Sequence, residues 1–127
     1  MIPYGVGCIV AYDQRVHFLP EFEAQWKKLG LNDNDQRDLE AFLCENPETG
    51  DVIQGTGGLR KLRWALPATG KSGGARVLYV DFAFFETIYL VTCFGKTTKI
   101  NLTQDEKKQI KRVVDQLKTQ QRRKLDE

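Results

Sequence analysis

The feature that most constrains this chain is a change of hydrophobic period near its middle. Before it, apolar residues recur at helical spacing, as in Phe22, Trp26 and Leu29. After the glycine-rich DVIQGTGG at residues 51–58, LRKLRWAL alternates between apolar and polar positions. A period of 3.6 residues belongs to helices and a period of 2 to strands. The sequence therefore predicts helices followed by a sheet, in the α+β fold class.

Two helices are predicted before the change of period. The first begins at Pro20, because proline suits the first helical turn, and it ends at Gly30. The second is capped within the NDND run at 32–35 and ends before Pro47. A helical pair this short cannot bury both apolar stripes by itself, so we expect it to cover a sheet. The VHFL at residues 16–19 is expected to form a short strand.

Three strands and a long helix are predicted in the second half. LRKLRWAL, ARVLYVDF and ETIYLVTCF have strand composition, and neighbours in sequence are expected to pair antiparallel. The final helix begins at Thr103, with Glu106 at the capping-box position and an apolar stripe along one side. We expect residues 16–127 to form a single domain and residues 1–15 to be an N-terminal tail of uncertain order. The predicted stripe consists of Ile110, Val113, Val114 and Leu117.

Cysteine and histidine usage argues against a metal site. Cys8, Cys44 and Cys93 are far apart and lack zinc-binding spacing, and the chain has one histidine, His17. We therefore expect reduced thiols, with Cys44 and Cys93 in the core, and no metal or other cofactor. No apolar stretch reaches the roughly 20 residues of a membrane helix, and the start lacks a secretory signal pattern. A cytoplasmic location without membrane contact is expected.

Charge is distributed unevenly along the chain. Residues 1–58 carry 4 basic and 10 acidic side chains, whereas residues 59–103 carry 7 basic and 2 acidic ones. Residues 104–127 add 8 basic and 5 acidic side chains. Such asymmetry indicates that one surface of the second half meets a polyanion, although a merely solvated charged surface remains an alternative.

The stretch ALPATGKS at residues 65–72 satisfies a loose form of the phosphate-binding loop pattern. A working loop of this kind needs a strand before it and a helix after it. Here GGARVLYV follows, which has strand composition, and Asp81 comes too soon for a parallel crossover. We therefore interpret these residues as a long hairpin loop with Lys71 at its tip, and an NTPase as a minor alternative.

Seven cations lie on or beside the predicted strands. In an antiparallel meander these positions can converge on one sheet face, and guanidinium groups bind phosphate well. An anion site is therefore expected there. The seven are Arg60, Lys61, Arg63, Lys71, Arg76, Lys96 and Lys99.

Three runs of this basic half resemble a known family. GDVIQGTGGLRKLRWA, GKSGGARVLYV and YLVTCFGKTTK resemble the RelE/HigB superfamily of type II toxin–antitoxin toxins, in its HigB-like branch. The resemblance covers about residues 16–118. It implies a RelE-like fold, with two N-terminal helices and a C-terminal helix around a small twisted antiparallel sheet. It also implies a ribosome-dependent endoribonuclease that cuts translated mRNA and is neutralised by a helix-turn-helix antitoxin, which alone would contact DNA.

The resemblance also implies residue roles. Lys61 and Arg63 match the basic strand pair of the toxin site, Arg76 the phosphate-stabilising arginine, and Lys96 the basic residue after the G-K turn. These four are the expected catalytic residues. Arg60, Lys71 and Lys99 are the expected RNA-binding residues.

The sequence departs from the family in one respect that affects catalysis. Several members have a Tyr or His late in the site as general base, whereas this chain has neither after Tyr89. Tyr79 alternates with Val77 and is expected in the core, as is Trp64, and His17 is expected to be structural. The general acid and base are therefore unassigned. The alternative function is a non-catalytic RNA- or ribosome-binding regulatory domain that uses the same basic face.

Overall fold

The computed structural model describes residues 16–65, 74–95 and 102–126. Within these ranges, three α-helices and a 3-10 turn at Ala83–Phe85 accompany five strands. The helices are α1 (Pro20–Lys28), α2 (Asp33–Glu45) and α3 (Gln104–Asp126). The strands are β1 (Val16–Phe18), β2 (Asp51–Val52), β3 (Leu59–Trp64), β4 (Ala75–Phe82) and β5 (Thr87–Gly95).

The strands form one sheet in the order β1-β5-β4-β3-β2. Strands β2 to β5 pair antiparallel, as predicted for β3, β4 and β5. At one edge β1 runs parallel to β5, with Val16 beside Ile88, so the sheet is mixed. At the other edge the two-residue β2 lies within a segment expected to be loop. The α+β class and the helix order agree with the sequence prediction.

The first face of the sheet is covered by α1 and α2. The side chains of Phe22, Trp26, Leu39 and Leu43 are buried there against the strands, and removing each from water stabilises the fold by about 1.5–3 kcal/mol. Asn32 caps α2 in the expected region: its side-chain oxygen accepts from the Asp35 N–H at 2.9 Å, and the Asp35 carboxylate accepts from the Asn32 N–H at 3.0 Å.

The second face is covered by α3. The predicted capping box is present: the Thr103 hydroxyl accepts from the Glu106 N–H at 3.1 Å, and the Glu106 carboxylate accepts from the Thr103 N–H at 2.9 Å. The predicted apolar stripe also packs on the sheet, with Val114 and Leu117 buried. Gly57, at φ +78°, brings the glycine-rich loop against the helix, and a Cβ there would lie 3.3 Å from the Val114 Cγ1.

A β-bulge in β5 sets which side chains face which helix. Leu78 pairs with Thr92 and Tyr79 with Leu90, so Val91 has no partner on β4. Beyond this extra residue the alternation shifts by one position. Cys93 consequently belongs to the first-face core, while Phe94 packs with the second-face core.

Candidate functional site

Three of the expected site cations lie on the second face of the sheet. Arg63 on β3 stands directly opposite Arg76 on β4, and Lys61 stands opposite Leu78, a residue of the second-face core. Antiparallel partners project from the same face, with Cβ atoms about 4.5–5.5 Å apart. The strand register therefore brings Lys61, Arg63 and Arg76 together, and we call them the cationic row.

The cationic row is electrostatically unfavourable in the absence of an anion. Like charges directly opposite on a sheet are destabilising, whereas opposite charges contribute roughly 0.2–1 kcal/mol. Within the described ranges, no carboxylate forms an ion pair with Arg63 or Arg76. Arg63 is exposed and Arg76 is partly exposed, so neither residue is sealed in the core. Forked guanidinium groups at this spacing suit a phosphate, which would remove the repulsion.

Gly74 precedes β4 and lies close to both the end of β3 and the side chain of Arg76. Its φ of +52° lies in the left-handed region, and a Cβ there would lie 3.4 Å from the Trp64 carbonyl oxygen and 4.0 Å from the Arg76 Nη1. Glycine adopts this conformation without the steric cost that other residues incur. The residue thus lets β4 begin close to the end of β3 and leaves room beside the guanidinium group.

Arg60 lies on the opposite face from the cationic row. It is partly buried, and its Nη1 donates to the Gly50 carbonyl at 2.7 Å and to the Glu48 carbonyl at 3.2 Å. These bonds hold the connection between α2 and β2. The structure therefore separates Arg60 from the other strand cations, and its expected contact with RNA stays a prediction.

The remaining expected cations, Lys71, Lys96 and Lys99, lie outside the described residues. The strands that flank residues 65–72 are nevertheless informative about the phosphate-loop pattern. β4 begins at Ala75 where a phosphate-binding loop would require a helix, and it pairs antiparallel to β3. This arrangement agrees with the interpretation of that segment as a hairpin connection.

Tyr79 is part of the core, as predicted. Its side chain is 0% exposed, and its hydroxyl accepts from the Gly50 N–H and donates to the Pro47 carbonyl, both at 2.9 Å. Burial raises the pKa of the phenol above its usual value of 10.0, although the bond from Gly50 opposes this rise. A buried phenol whose hydroxyl already donates one hydrogen bond and accepts another cannot act as a base on the second face.

Trp64 and His17 also have packing roles, as expected. The Trp64 ring lies against Phe42 at a centroid distance of 5.5 Å, on the first face. The His17 ring stacks on the Tyr89 ring at a centroid distance of 4.9 Å. Tyr89 and Phe94 both lie on β5, and at the usual rise per residue they are about 15 Å apart along the strand. Since Phe94 is the cross-strand partner of Arg76, His17 lies at the far end of the sheet from the cationic row.

Phe94 is the neighbour of the cationic row that the sequence did not predict. It stands opposite Arg76 on β5, is partly buried and packs against the second-face core. Its orientation depends on the bulge at Val91, for which the amino-acid pattern gives no signal. Lys107 and Lys111 were likewise not predicted to lie near the glycine-rich loop, where they approach Gly55 and Gly57.

The described residues contain no cluster of three or more His, Cys, Asp or Glu side chains able to hold a metal ion. Among them, too, no helix combines the length and apolarity needed to cross a membrane.

A family model described as the RelE toxin of the RelE/RelB toxin–antitoxin system matches residues 15–127. The match includes every strand and helix described above and the whole cationic row. This chain belongs to the RelE toxin family and is a toxin of the toxin–antitoxin type.

Proposed function

We propose that this toxin is a ribosome-dependent endoribonuclease of the HigB-like branch that cuts translated mRNA and thereby arrests growth. The observation that carries the proposal is the cationic row. Arg63 opposite Arg76, with Lys61 two residues away on the same face, is a costly arrangement that a phosphate would stabilise. An exposed site of this kind on a toxin fits an RNA backbone as substrate.

The proposed chemistry is attack of an RNA 2′-oxygen on the adjacent phosphorus, with departure of the 5′-oxygen. The products are a 2′,3′-cyclic phosphate and a 5′-hydroxyl. Arg63 and Arg76 stabilise the charge that grows on the phosphoryl oxygens, where fixed donors lower the barrier most. Lys61 is the candidate for proton transfer, and Lys96 completes the catalytic set. No step in this scheme requires a metal ion.

The ribosome supplies what the site lacks. The tyrosines within the described ranges, Tyr79 and Tyr89, are both buried, and the only histidine of the chain lies at the other end of the sheet. A site with weak acid and base groups depends strongly on how its substrate is held. Holding the 2′-oxygen in line with the phosphorus and the leaving oxygen lowers the activation barrier substantially. In this proposal the ribosome holds the mRNA of the decoding site in that geometry.

The proposed partners follow from the toxin–antitoxin assignment. A cognate helix-turn-helix antitoxin neutralises the toxin, and DNA is contacted through that antitoxin alone. Arg60, Lys71 and Lys99 contact RNA outside the cleavage point, and the protein acts in the cytoplasm, where translating ribosomes are found.

Purified toxin and programmed ribosomes test this proposal. We expect wild-type protein to cut ribosome-bound mRNA and to cut free RNA poorly, and EDTA treatment of the toxin before the assay should not change the rate. Lys61→Ala, Arg63→Ala and Arg76→Ala should each lower kcat, by about 100- to 1000-fold for the arginines. Arg37→Ala, which removes an exposed cation from α2 on the first face, is the matched control. Full activity in all three site variants would refute the proposal.

A second candidate is a non-catalytic domain that binds RNA or the ribosome through the same surface. The burial of both described tyrosines favours it, because neither can serve as a base. Under this alternative, mRNA stays intact on ribosomes that have bound the protein. Primer extension on mRNA from the same binding reactions distinguishes the two functions.

A further inference from the structure

An open, mostly apolar cleft of about 610 Å³ lies at the β5 edge of the sheet, between α1 on the first face and α3 on the second face. It is bounded by the start of α1, the end of β5 and the first turns of α3. Pockets of this size hold small organic groups, with apolar walls and a few polar groups at the rim. Its apolar walls are formed by Leu78, Val91, Phe94, Leu102, Ile110 and Val113.

The cleft adjoins the cationic row. Phe94 is the cross-strand partner of Arg76, and Leu78 is the cross-strand partner of Lys61. Both wall residues therefore project from the same face as the cations and stand within a strand spacing of them. A single strand of RNA whose phosphate lies on Arg76 would thus have this apolar cleft immediately beside its backbone.

The charges on the two sides of the cleft suit different parts of an RNA strand. Cations border the cleft on the β3 and β4 side, whereas Glu21 and Glu106 line it on the α1 and α3 side. Carboxylates repel phosphate but accept hydrogen bonds from exocyclic amino groups of bases. The backbone is therefore favoured on the cationic side, and a neutral base is the part of the strand that fits the cleft.

We propose that this cleft receives one unpaired nucleobase of the mRNA, next to the phosphate held by Arg63 and Arg76. Phe94 provides the ring on which the base stacks, as aromatic side chains do for single-stranded RNA. The exposed amide of Gln109, at the rim on α3, reads the base edge together with the carboxylates. The site therefore prefers bases that carry an exocyclic amino group over uracil. This inference rests on the proposed function, because it assumes mRNA at the cationic row.

Base preference on programmed ribosomes tests the cleft. Cleavage is measured on mRNAs that differ by one base at each position of the decoded codon. Phe94→Leu keeps the cleft apolar but removes the ring, and it should lower kcat/KM by about 5- to 100-fold. Gln109→Ala should reduce discrimination against uracil by about tenfold at one position. Gln116→Ala changes an exposed glutamine of α3 outside the cleft and should behave as wild type.

A second readout separates this inference from the proposed function. A 2′-deoxy mRNA, which cannot attack its own phosphate, is labelled with 2-aminopurine at each codon position in turn. Stacking on Phe94 should quench the fluorescence at one position in wild type but not in Phe94→Leu. Quenching without cleavage of normal mRNA would overturn the proposed activity and keep the cleft assignment.

Two results would overturn the cleft assignment itself. The first is wild-type rate and base preference in Phe94→Leu and Gln109→Ala, while Arg76→Ala is inactive. The second is unchanged base preference with loss of binding to the cognate antitoxin, which would show that the cleft receives a protein side chain instead.

Discussion

Tyr79→Phe separates a structural role from a catalytic one. The change deletes the hydroxyl that bonds to Gly50 and Pro47, and leaves the buried Gly50 N–H with no partner. An orphaned buried donor costs about 1–3 kcal/mol. For a chain of this size each kcal/mol lowers Tm by about 4 °C, so we expect Tm to fall by about 4–12 °C. Cleavage at 25 °C should be unchanged, because the phenol faces away from the cationic row.

Thermal unfolding by circular dichroism and cleavage on programmed ribosomes should be measured on the same preparations. Arg76→Ala is the complementary variant, because it removes an unfavourable pair with Arg63. It should change stability by no more than about 0.5 kcal/mol, as surface substitutions usually do. We therefore expect one variant to lose stability with activity kept and the other to lose activity with stability kept. Lost cleavage at unchanged Tm in Tyr79→Phe would refute this reasoning and identify the phenol as a reacting group.

Two further predictions concern packing and pH. Gly57→Ala should lower the free energy of unfolding, measured with urea, more than Gly30→Ala does. Both glycines have φ near +80°, so the left-handed backbone costs each alanine about 1–2 kcal/mol. Only the alanine at position 57 would also crowd Val114. Equal losses would show that the loop shifts freely away from α3. Burial, reinforced by Glu21, raises the pKa of Cys93 from 9.0 to about 12. The folded protein therefore holds the thiol proton more tightly than the unfolded chain does. This contribution to the free energy of unfolding is fully present below the unfolded pKa of Cys93 and is lost as pH rises through about 12. At pH 8, iodoacetamide should label Cys93 in denaturant but not in the native protein, and native labelling would contradict the burial.

Local signals predicted much of the secondary structure. Pro20, Asn32 and Thr103 mark the starts or caps of helices through interactions within one turn, and the structure has helices at each of these places. Antiparallel pairing of β3, β4 and β5 followed from their adjacency. Such features depend on residues close together in the chain, which a pattern can display.

Long-range and irregular features were beyond prediction. β1 pairs with β5 across some seventy intervening residues, and adjacency says nothing about such a partner or its direction. β2 has two exposed residues and no alternation, so it could not be told from a loop. In the site, the register brings Lys61, Arg63 and Arg76 to one face as expected, whereas strand alternation separates Arg60 from them. Their chemical roles remain predictions.

The unpaired Val91 determines which side chains of β5 stand beside the cationic row. If the bulge closed without a deletion, Val91 would pair with Leu78, and this one-residue slip would exchange the faces of Cys93 and Phe94. The thiol would then stand beside Arg76, and the aromatic ring would be forced into the core under α1. Forming or closing the bulge therefore changes which β5 side chain stands beside the cationic row, even when every amino acid of that row is retained.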